Sequence, residues 1–119
     1  MNYVLLVGRI VNDINVEEEG NNKIAKMVLA VNRSYKNEEG IYDTDFIDIL
    51  LSDNGEYTNG LLATNTAEYC RKGDILGVKG RLETENYIDA IYGEKKKRYI
   101  VKAEKVTFLS SKHVEVEEI

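Results

Sequence analysis

The 119-residue sequence contains no proline or tryptophan, one cysteine and one histidine. The lack of proline argues against a proline-rich linker or a polyproline ligand. A single cysteine excludes an intramolecular disulfide framework, and one cysteine with one histidine cannot build the usual zinc clusters. The longest apolar runs fall short of both a secretory signal and the roughly 20 residues of a membrane span. We therefore expect a cytoplasmic protein with no metal, no other cofactor and no membrane partner.

Charge is distributed unevenly along the chain. The 16 basic and 21 acidic residues give a net charge of −5. Residues 1–70 carry a net −7, residues 71–111 a net +4 and residues 112–119 a net −2. An acidic total argues against a nucleic-acid partner, but the distribution of charge matters more than its sum. The basic second half keeps such a partner open.

Period-two alternation of β-branched and aromatic residues is the dominant pattern, and it predicts strands. The predicted strands cover about residues 2–11, 23–35, 41–51, 74–87 and 98–109. On the second strand, one face is expected to carry Met27, Leu29 and Val31, opposite Lys26. On the third, the core side is expected to carry Ile47, Ile49 and Leu51, opposite Phe46 and Asp48. The composition of residues 17–22 indicates a turn, and residues 52–60 form a turn-rich insert. Three glycines inside strands, at Gly8, Gly77 and Gly80, are expected where the sheet bends or needs room.

One helix is predicted between the third and fourth strands. Leu61, Leu62, Asn65, Tyr69 and Cys70 fall close to helical spacing, and the helix is expected to stop at the glycine at position 73. Three strands, one helix and two strands is the element order of a five-stranded OB-type Greek-key barrel. The sequence thus predicts an all-β OB-fold domain over residues 1–111, followed by a short acidic tail over residues 112–119.

Several segments carry a resemblance to a known family. They are residues 2–10 (NYVLLVGRI), 29–35 (LAVNRSY), 44–47 (TDFI), 67–74 (AEYCRKGD), 78–82 (VKGRL) and 98–106 (RYIVKAEKV). Each is weakly specific alone, but their order and spacing are specific. The chain resembles bacterial and phage single-stranded DNA-binding proteins along almost the whole predicted barrel. The resemblance implies an OB barrel, usually tetrameric, that wraps single-stranded DNA without reading its sequence. It also implies base-stacking aromatics at Tyr35, Phe46 and Tyr87.

The chain departs from the family pattern in three places. Ser52 stands where the family often has another aromatic, and Asp48 stands where a basic or polar residue is common. The segment from Asp53 to Gly60 is several residues longer than usual. The lost stacking position and the carboxylate are expected to lower affinity per subunit without changing the kind of ligand.

Sequence-independent binding of a single strand needs aromatic faces for the bases and cations for the phosphates. Tyr35 has basic neighbours near a strand end, and the hairpin between the last two strands combines tyrosines with the run KKKR at 95–98. In OB folds that hairpin borders the usual ligand face. The predicted nucleic-acid-binding residues are Arg33, Tyr35, Lys36, Phe46, Lys79, Arg81, Tyr87, Tyr92, Lys97 and Arg98.

A structural role is the alternative for each of these residues. The aromatics can serve the core or an interface, and the KKKR run can be a solvated hairpin. Tyr3 and Tyr99 are expected to be packing or interface residues.

The sequence offers no support for an enzyme. Phosphate-loop and dinucleotide-binding motifs are absent. Cys70 lies on the apolar side of the predicted helix, far along the chain from His113. Asp43 and Asp45 share one side of a strand while Asp48 points to the other, so the three do not converge on a metal.

We expect a protein that coats single-stranded DNA in replication, recombination or repair, as a homotetramer in preference to a dimer. Two alternatives stay open: a protein-interaction OB module similar to a primosomal restart protein, which Asp48 and Ser52 favour, and an OB subunit supporting an enzyme on another chain. In the tail, residues 117–119 (EEI) form either a docking tip for replication or repair proteins or, as we prefer, solubilising charges at a frayed strand end. The short tail, the insert and the altered third strand suggest a phage, plasmid or accessory version.

Overall fold

The computed structural model describes residues 1–54 and 60–111. These residues form six strands and one helix. The elements are β1 (Val4–Ile10), β2 (Val16–Glu19), β3 (Asn22–Lys36), β4 (Tyr42–Ser52), α1 (Leu62–Tyr69), β5 (Ile75–Ile88) and β6 (Lys95–Ser110). Within these ranges no helix is long and apolar enough to cross a membrane. Residues 55–59 of the predicted insert and the predicted tail at 112–119 lie outside the described residues.

The strands close into a barrel. Their order in the sheet is β1-β5-β6-β4-β3-β2, and β1 returns to pair with β3 through Arg9–Ala30 and Ile10–Leu29. The neighbours pair antiparallel except for β4 and β6, which run parallel. Five of the strands therefore form a closed mixed barrel, and the predicted OB fold is confirmed.

Alternation along the strands produces the core. Met27 and Leu29 on β3, and Ile49 and Leu51 on β4, are fully buried. The alternate positions point to the other face, where Lys26 and Asp48 are exposed and Val28 and Leu50 are half-buried. The faces predicted for these two strands are confirmed, because a period of two sorts side chains by sheet face.

Glycine is required where strands approach closely. A Cβ atom at Gly8 would lie 2.5 Å from the Ala30 carbonyl oxygen, where β1 crosses to β3. A Cβ at Gly80 would overlap the Lys102 carbonyl, and the β5–β6 register shifts there. The expectation is wrong for Gly77, whose Cβ would meet its nearest atom only at 3.8 Å.

Three element boundaries differ from the predictions. Val16–Glu19 forms β2, an exposed edge strand paired with the start of β3, so the turn narrows to its Gly20–Asn21 tip. The strand was not predicted because three consecutive glutamates favour a turn, although charged residues are common on exposed sheet edges.

The helix ends at Tyr69, earlier than predicted. Cys70 is extended, with φ −116° and ψ 143°, and its side chain is buried in the core. A turn follows, because the Asp74 amide donates to the Arg71 carbonyl and Gly73 adopts φ +98°. The glycine therefore serves the turn into β5 and not the helix end.

The last strand begins at Lys95, so the KKKR run lies within β6 and not in the hairpin tip. Lys95, Lys96 and Lys97 pair with Ile88, Tyr87 and Asn86. The tip contracts to about residues 89–94, where the Asp89 amide donates to the Glu94 carbonyl.

Helix α1 covers one end of the barrel, which we call the closed end. Asp53 follows β4 and receives hydrogen bonds from both the amide (2.9 Å) and the hydroxyl (2.5 Å) of Thr64. Burial raises the pKa of the Asp53 carboxyl, but these hydrogen bonds and one from the Ala63 amide outweigh it, so the pKa lies below its usual value. A buried carboxylate thus fixes the start of the helix to the end of β4.

Candidate nucleic-acid interface

Two hairpin arms extend the barrel strands and carry most of the predicted site. The β3–β4 arm comprises residues 32–44, and the β5–β6 arm comprises residues 81–99. Side-chain hydrogen bonds shape both turns: the Asn37 Oδ1 accepts from the Glu39 and Ile41 amides, and the Asp89 Oδ1 accepts from the Ile91 amide. The Ile91 amide and the Lys96 ammonium hold the pKa of the Asp89 carboxyl below its usual value. Hydrogen bonds therefore fix the conformation of the turn at the tip of each arm.

The four aromatic residues of the predicted site, three of them expected to stack on bases, are accessible. Their exposed fractions are 62% for Tyr35, 68% for Phe46, 39% for Tyr87 and 76% for Tyr92. Phe46 points away from the core, whereas its strand neighbour Ile49 is fully buried. A core role is therefore wrong for all four side chains in the single chain. Their contact with DNA stays a prediction.

On the β3–β4 arm, the predicted phosphate-binding residue Arg33 already has a carboxylate partner. Its Nη2 lies 2.9 Å from Asp45 Oδ1, and its Nε donates to Asp45 Oδ2 at 3.1 Å. Asp43 lies at the 4.0 Å limit of an ion pair. The hydrogen bonds from Arg33 lower the pKa of the Asp45 carboxyl. Sequence reasoning missed this pair because it depends on the β3–β4 register.

The same arm places Lys36 beside an aromatic ring. Its Nζ lies 5.6 Å from the centre of the Tyr42 ring. Tyr35 lies within the register irregularity between Asn32 and Lys36, and its side chain is exposed. The three predicted residues of this segment therefore lie together at the end of β3.

On the β5–β6 arm, one face combines a ring with two cations. Arg98 lies over Tyr87, 5.1 Å from its ring centre, and its Nη2 is 3.3 Å from Glu85 Oε1. Lys96 pairs directly with Tyr87 across the strands and reaches Asp89 at 3.0 Å.

The opposite face carries the remaining predicted lysine. Lys97 pairs with Asn86, and alternation places it on the side of Tyr99. The KKKR run is therefore divided between two faces of the arm, and the structure does not form the single basic tip that the sequence suggests.

Lys79 and Arg81, the other two predicted cations, contact different residues. Lys79 pairs with Leu5, and its Nζ lies 5.4 Å from the Tyr3 ring centre on the outer face of β1. Arg81 is half-buried and contacts Glu83, with Nε and Oε2 2.7 Å apart. The structure separates Lys79 from the face of Phe46.

The barrel has an opening where β4 and β6 separate. These strands pair only at Ile49–Val101 and Leu50–Lys102. Just before those pairs lies a cavity of about 340 Å³. Its lining residues are Val4, Leu6, Phe46, Ile47, Asp48, Leu82, Tyr99, Ile100 and Val101. We call this the open end of the barrel.

A second, smaller cavity adjoins the first at the open end. Its volume is about 120 Å³, and Asp48, Lys26 and Arg98 contribute to its lining. Asp48 and Ile100 line both cavities. Sequence reasoning assigned Tyr99 to packing or an interface and missed its place beside Phe46. Only the parallel β4–β6 pairing, between distant segments, reveals it.

Other chemistry is scarce in the described part of the chain. No group of three or more His, Cys, Asp or Glu residues in residues 1–54 and 60–111 has the geometry to hold a metal. Cys70 is buried, and burial, together with nearby Asp74, raises the pKa of its thiol. The Asp43 and Asp45 carboxylates turn to Arg33, while Asp48 faces the barrel opening.

Comparison with known sequences identifies the protein family to which this barrel belongs. The pattern of the single-strand binding protein family matches residues 1–109. The chain belongs to that family. The match spans the whole described barrel, including both arms and the open end.

Individual relatives of this family member carry consistent names. Single-stranded DNA-binding protein 1 of Clostridium acetobutylicum is 36% identical over 115 residues, covering 94% of this chain and 96% of the relative. Single-stranded DNA-binding protein B of Bacillus subtilis is 38% identical over 87 residues, covering 72% of this chain and 71% of the relative. The single-stranded DNA-binding protein of Streptococcus mutans is 38% identical over 88 residues, covering 73% of this chain but 49% of the relative. This chain therefore spans about half the length of some relatives and nearly all of others.

Proposed function

We propose that this chain binds single-stranded DNA without reading its sequence, and coats and protects it during replication, recombination or repair. The observation that carries the proposal is the exposure of Tyr35, Phe46 and Tyr87 on a barrel of the single-strand binding protein family. Its relatives are named single-stranded DNA-binding proteins. A binding role of this kind needs no catalytic site, and a protein that works on bacterial DNA acts in the cytoplasm.

Stacking supplies the sequence-independent part of the affinity. Each base on an aromatic side chain contributes about 1–3 kcal/mol by alanine substitution. The phosphates must be met by cations such as Arg33 and Arg98, which first exchange a carboxylate partner for a phosphate. We therefore expect stacking to dominate, with a smaller electrostatic contribution than the number of cations suggests.

The outer face of β1 supports a homo-oligomer. Tyr3, Leu5 and Val7 alternate on that face and are all more than half exposed. Within the described residues, only Arg9 and Ile10 of β1 pair with β3, and the rest of that strand edge has no strand partner. Apolar patches and open strand edges of this kind favour association with another copy. We propose a homotetramer in preference to a dimer, with light scattering as the measurement that decides.

Fluorescence anisotropy tests the proposed binding directly. A labelled oligo-dT and a duplex of equal length are titrated with the protein. We expect tighter binding of the single strand together with quenched tyrosine emission. The logarithm of affinity should fall with the logarithm of salt concentration at a slope of about −0.7 per phosphate neutralised. Equal and weak binding to both DNAs would contradict the proposal.

Replacing the stacking rings tests the residues. We expect Tyr35→Ala and Phe46→Ala each to weaken oligo-dT binding by about 1–3 kcal/mol, because each removes one aromatic face. The matched control is Tyr69→Ala, an equally exposed tyrosine at the end of α1. An unchanged affinity for both site variants, with circular dichroism intact, would remove these two residues from the interface.

A protein-interaction module is the second candidate, and two observations favour it. Asp48 is a carboxylate on the proposed DNA face, and Ser52 is half-buried and accepts a hydrogen bond from Asn22 at 2.7 Å. Neither side chain offers a stacking surface. Equal weak binding of the two DNAs in the anisotropy experiment would favour this alternative. Docking of replication or repair proteins by residues 117–119 is a separate hypothesis about a segment outside the described residues.

A further inference from the structure

We propose that the open end of the barrel accommodates one nucleobase, and that the Asp48 carboxylate accepts a hydrogen bond from the exocyclic amino group of that base. Cytosine and adenine would then bind there better than thymine. This inference rests on the proposed single-stranded DNA function and adds a local base preference to it. It also assigns a role to the carboxylate that departs from the family pattern.

The opening has the volume and the lining for a small, mostly apolar group. Ligand pockets usually have volumes of about 300–1,000 Å³, and the larger cavity, at about 340 Å³, lies at the small end of that range. Most of its lining residues are aliphatic, among them Val4, Leu6 and Val101. A single base, whose faces are apolar and whose edge is polar, fits such a site better than a whole nucleotide.

Two aromatic side chains line the same opening. Phe46 and Tyr99 both contribute to the larger cavity, and their exposed fractions are 68% and 66%. Phe46 is one of the proposed stacking residues, so the cavity is continuous with the proposed DNA surface. A base that moved from Phe46 into the cavity would still contact a second aromatic side chain, that of Tyr99.

Asp48 differs from the other carboxylates of the proposed interface. Asp45 is bound by Arg33, Glu83 by Arg81 and Lys102, and Glu85 by Arg98. Across residues 1–54 and 60–111, by contrast, the Asp48 side chain has no hydrogen-bonding or ion-pair partner. Its acceptor capacity is therefore free for a ligand.

The chemistry of the bases makes this acceptor selective. An ionised carboxylate only accepts hydrogen bonds. Cytosine and adenine present an amino donor on the edge where thymine presents the O4 acceptor. Asp48 would attract the amino group and repel the thymine oxygen.

The smaller cavity supplies cations next to the proposed base site. Lys26 and Arg98 line it together with Asp48. A base held against Asp48 would bring its own phosphate near these two side chains. Lys26 and Arg98 would then offset the negative charges of both Asp48 and the phosphate, which explains how a carboxylate is compatible with binding a polyanion.

The test compares two bases on three proteins. Anisotropy titrations with oligo-dC and oligo-dT of equal length are made on the parent, on Asp48→Asn and on Asp45→Asn. Because asparagine can also donate to thymine O4, we expect Asp48→Asn to lower the dC-to-dT affinity ratio by about tenfold. Asp45→Asn removes the same charge from the same strand, but it faces Arg33. It should shift both affinities together and leave the ratio unchanged.

The outcomes separate this inference from the proposed function. If the parent binds neither oligonucleotide, the proposed function fails. If it binds both, and Asp48→Asn strengthens both equally, Asp48 only repels phosphates and the base site is overturned.

A second measurement avoids any variant. The cytosines of the oligonucleotide are replaced by 2-pyrimidinone, which lacks the amino group. This replacement should weaken binding to the parent protein, with the affinity for oligo-dT as the reference. Unchanged binding would overturn the inference even if Asp48→Asn did not fold.

Discussion

The two ends of the barrel are built in opposite ways. At the closed end, α1 covers the core, Ala63 is fully buried, and both Asp53 oxygens accept hydrogen bonds from Thr64. At the open end, β4 and β6 separate, and a cavity of about 340 Å³ lies between Phe46 and Tyr99. The closed end satisfies its polar groups internally, whereas the open end offers rings, apolar surface and a carboxylate to a ligand.

This difference indicates a division of labour within one small fold. Buried and hydrogen-bonded groups contribute to the free energy of unfolding. Exposed rings on a rigid barrel contribute little to it and serve binding instead. Substitutions at the closed end should therefore change stability, and substitutions at the open end should change affinity.

The largest expected effect comes from comparing the same substitution, leucine to alanine, at each end in turn. Leu51 is fully buried near the end of β4, beside the closed end, whereas Leu82 lines the open cavity and is 44% exposed. We expect Leu51→Ala to lower the free energy of unfolding by about 2–5 kcal/mol. Leu82→Ala should cost about 1 kcal/mol or less, because surface substitutions are usually mild. Urea unfolding monitored by circular dichroism measures both, and equal losses would contradict the comparison.

The next largest effect concerns the buried carboxylate of the closed end. Asp53→Ala leaves the Thr64 amide and hydroxyl without their acceptor, and we expect a loss of about 2–3 kcal/mol in the free energy of unfolding. The folded pKa of Asp53 is lowered, so its stabilisation is full above the ordinary value of about 4 and is lost as the pH falls through the folded value. The variant should therefore lose less stability than the parent below about pH 4.

The control for Asp53 is the exposed carboxylate of the β3–β4 arm. Asp45 also has a lowered pKa, but its partner is the exposed Arg33. Exposed ion pairs add little to stability, so Asp45→Ala should scarcely change urea unfolding. A loss as large as that of Asp53→Ala would show that the arm, and not only the closed end, supports the fold.

Local patterns predicted much of this architecture. Alternation alone assigned Ile49 to the core and Phe46 to the surface, because strand side chains change face at every residue. The order of strands and helix predicted the OB barrel, and the family resemblance identified the three exposed aromatics. These features depend on near neighbours in the sequence or on a known pattern.

Features that depend on pairing between segments were missed. The Arg33–Asp45 pair follows from the β3–β4 register, and the approach of Tyr99 to Phe46 follows from parallel pairing of β4 with β6. The strand at Lys95 was missed because lysine is depleted in strands, yet cross-strand pairing with residues 86–88 determines it. A single sequence gives the faces of each strand but not its partner.

The smallest expected effect compares the cations of the β5–β6 arm with a cation beside the closed end. Lys97 has no ion-pair partner among the residues that the structure describes, whereas Lys96 lies 3.0 Å from Asp89. We expect Lys97→Ala to reduce the slope of log affinity against log salt by about 0.7, the contribution of one phosphate. Lys96→Ala should reduce it less, because Asp89 already balances that charge. Lys72→Ala removes an exposed charge just after α1 and should leave the slope unchanged. If Lys72→Ala reduced the slope as much as Lys97→Ala, DNA would follow the closed end as well, and the division between the two ends would be wrong.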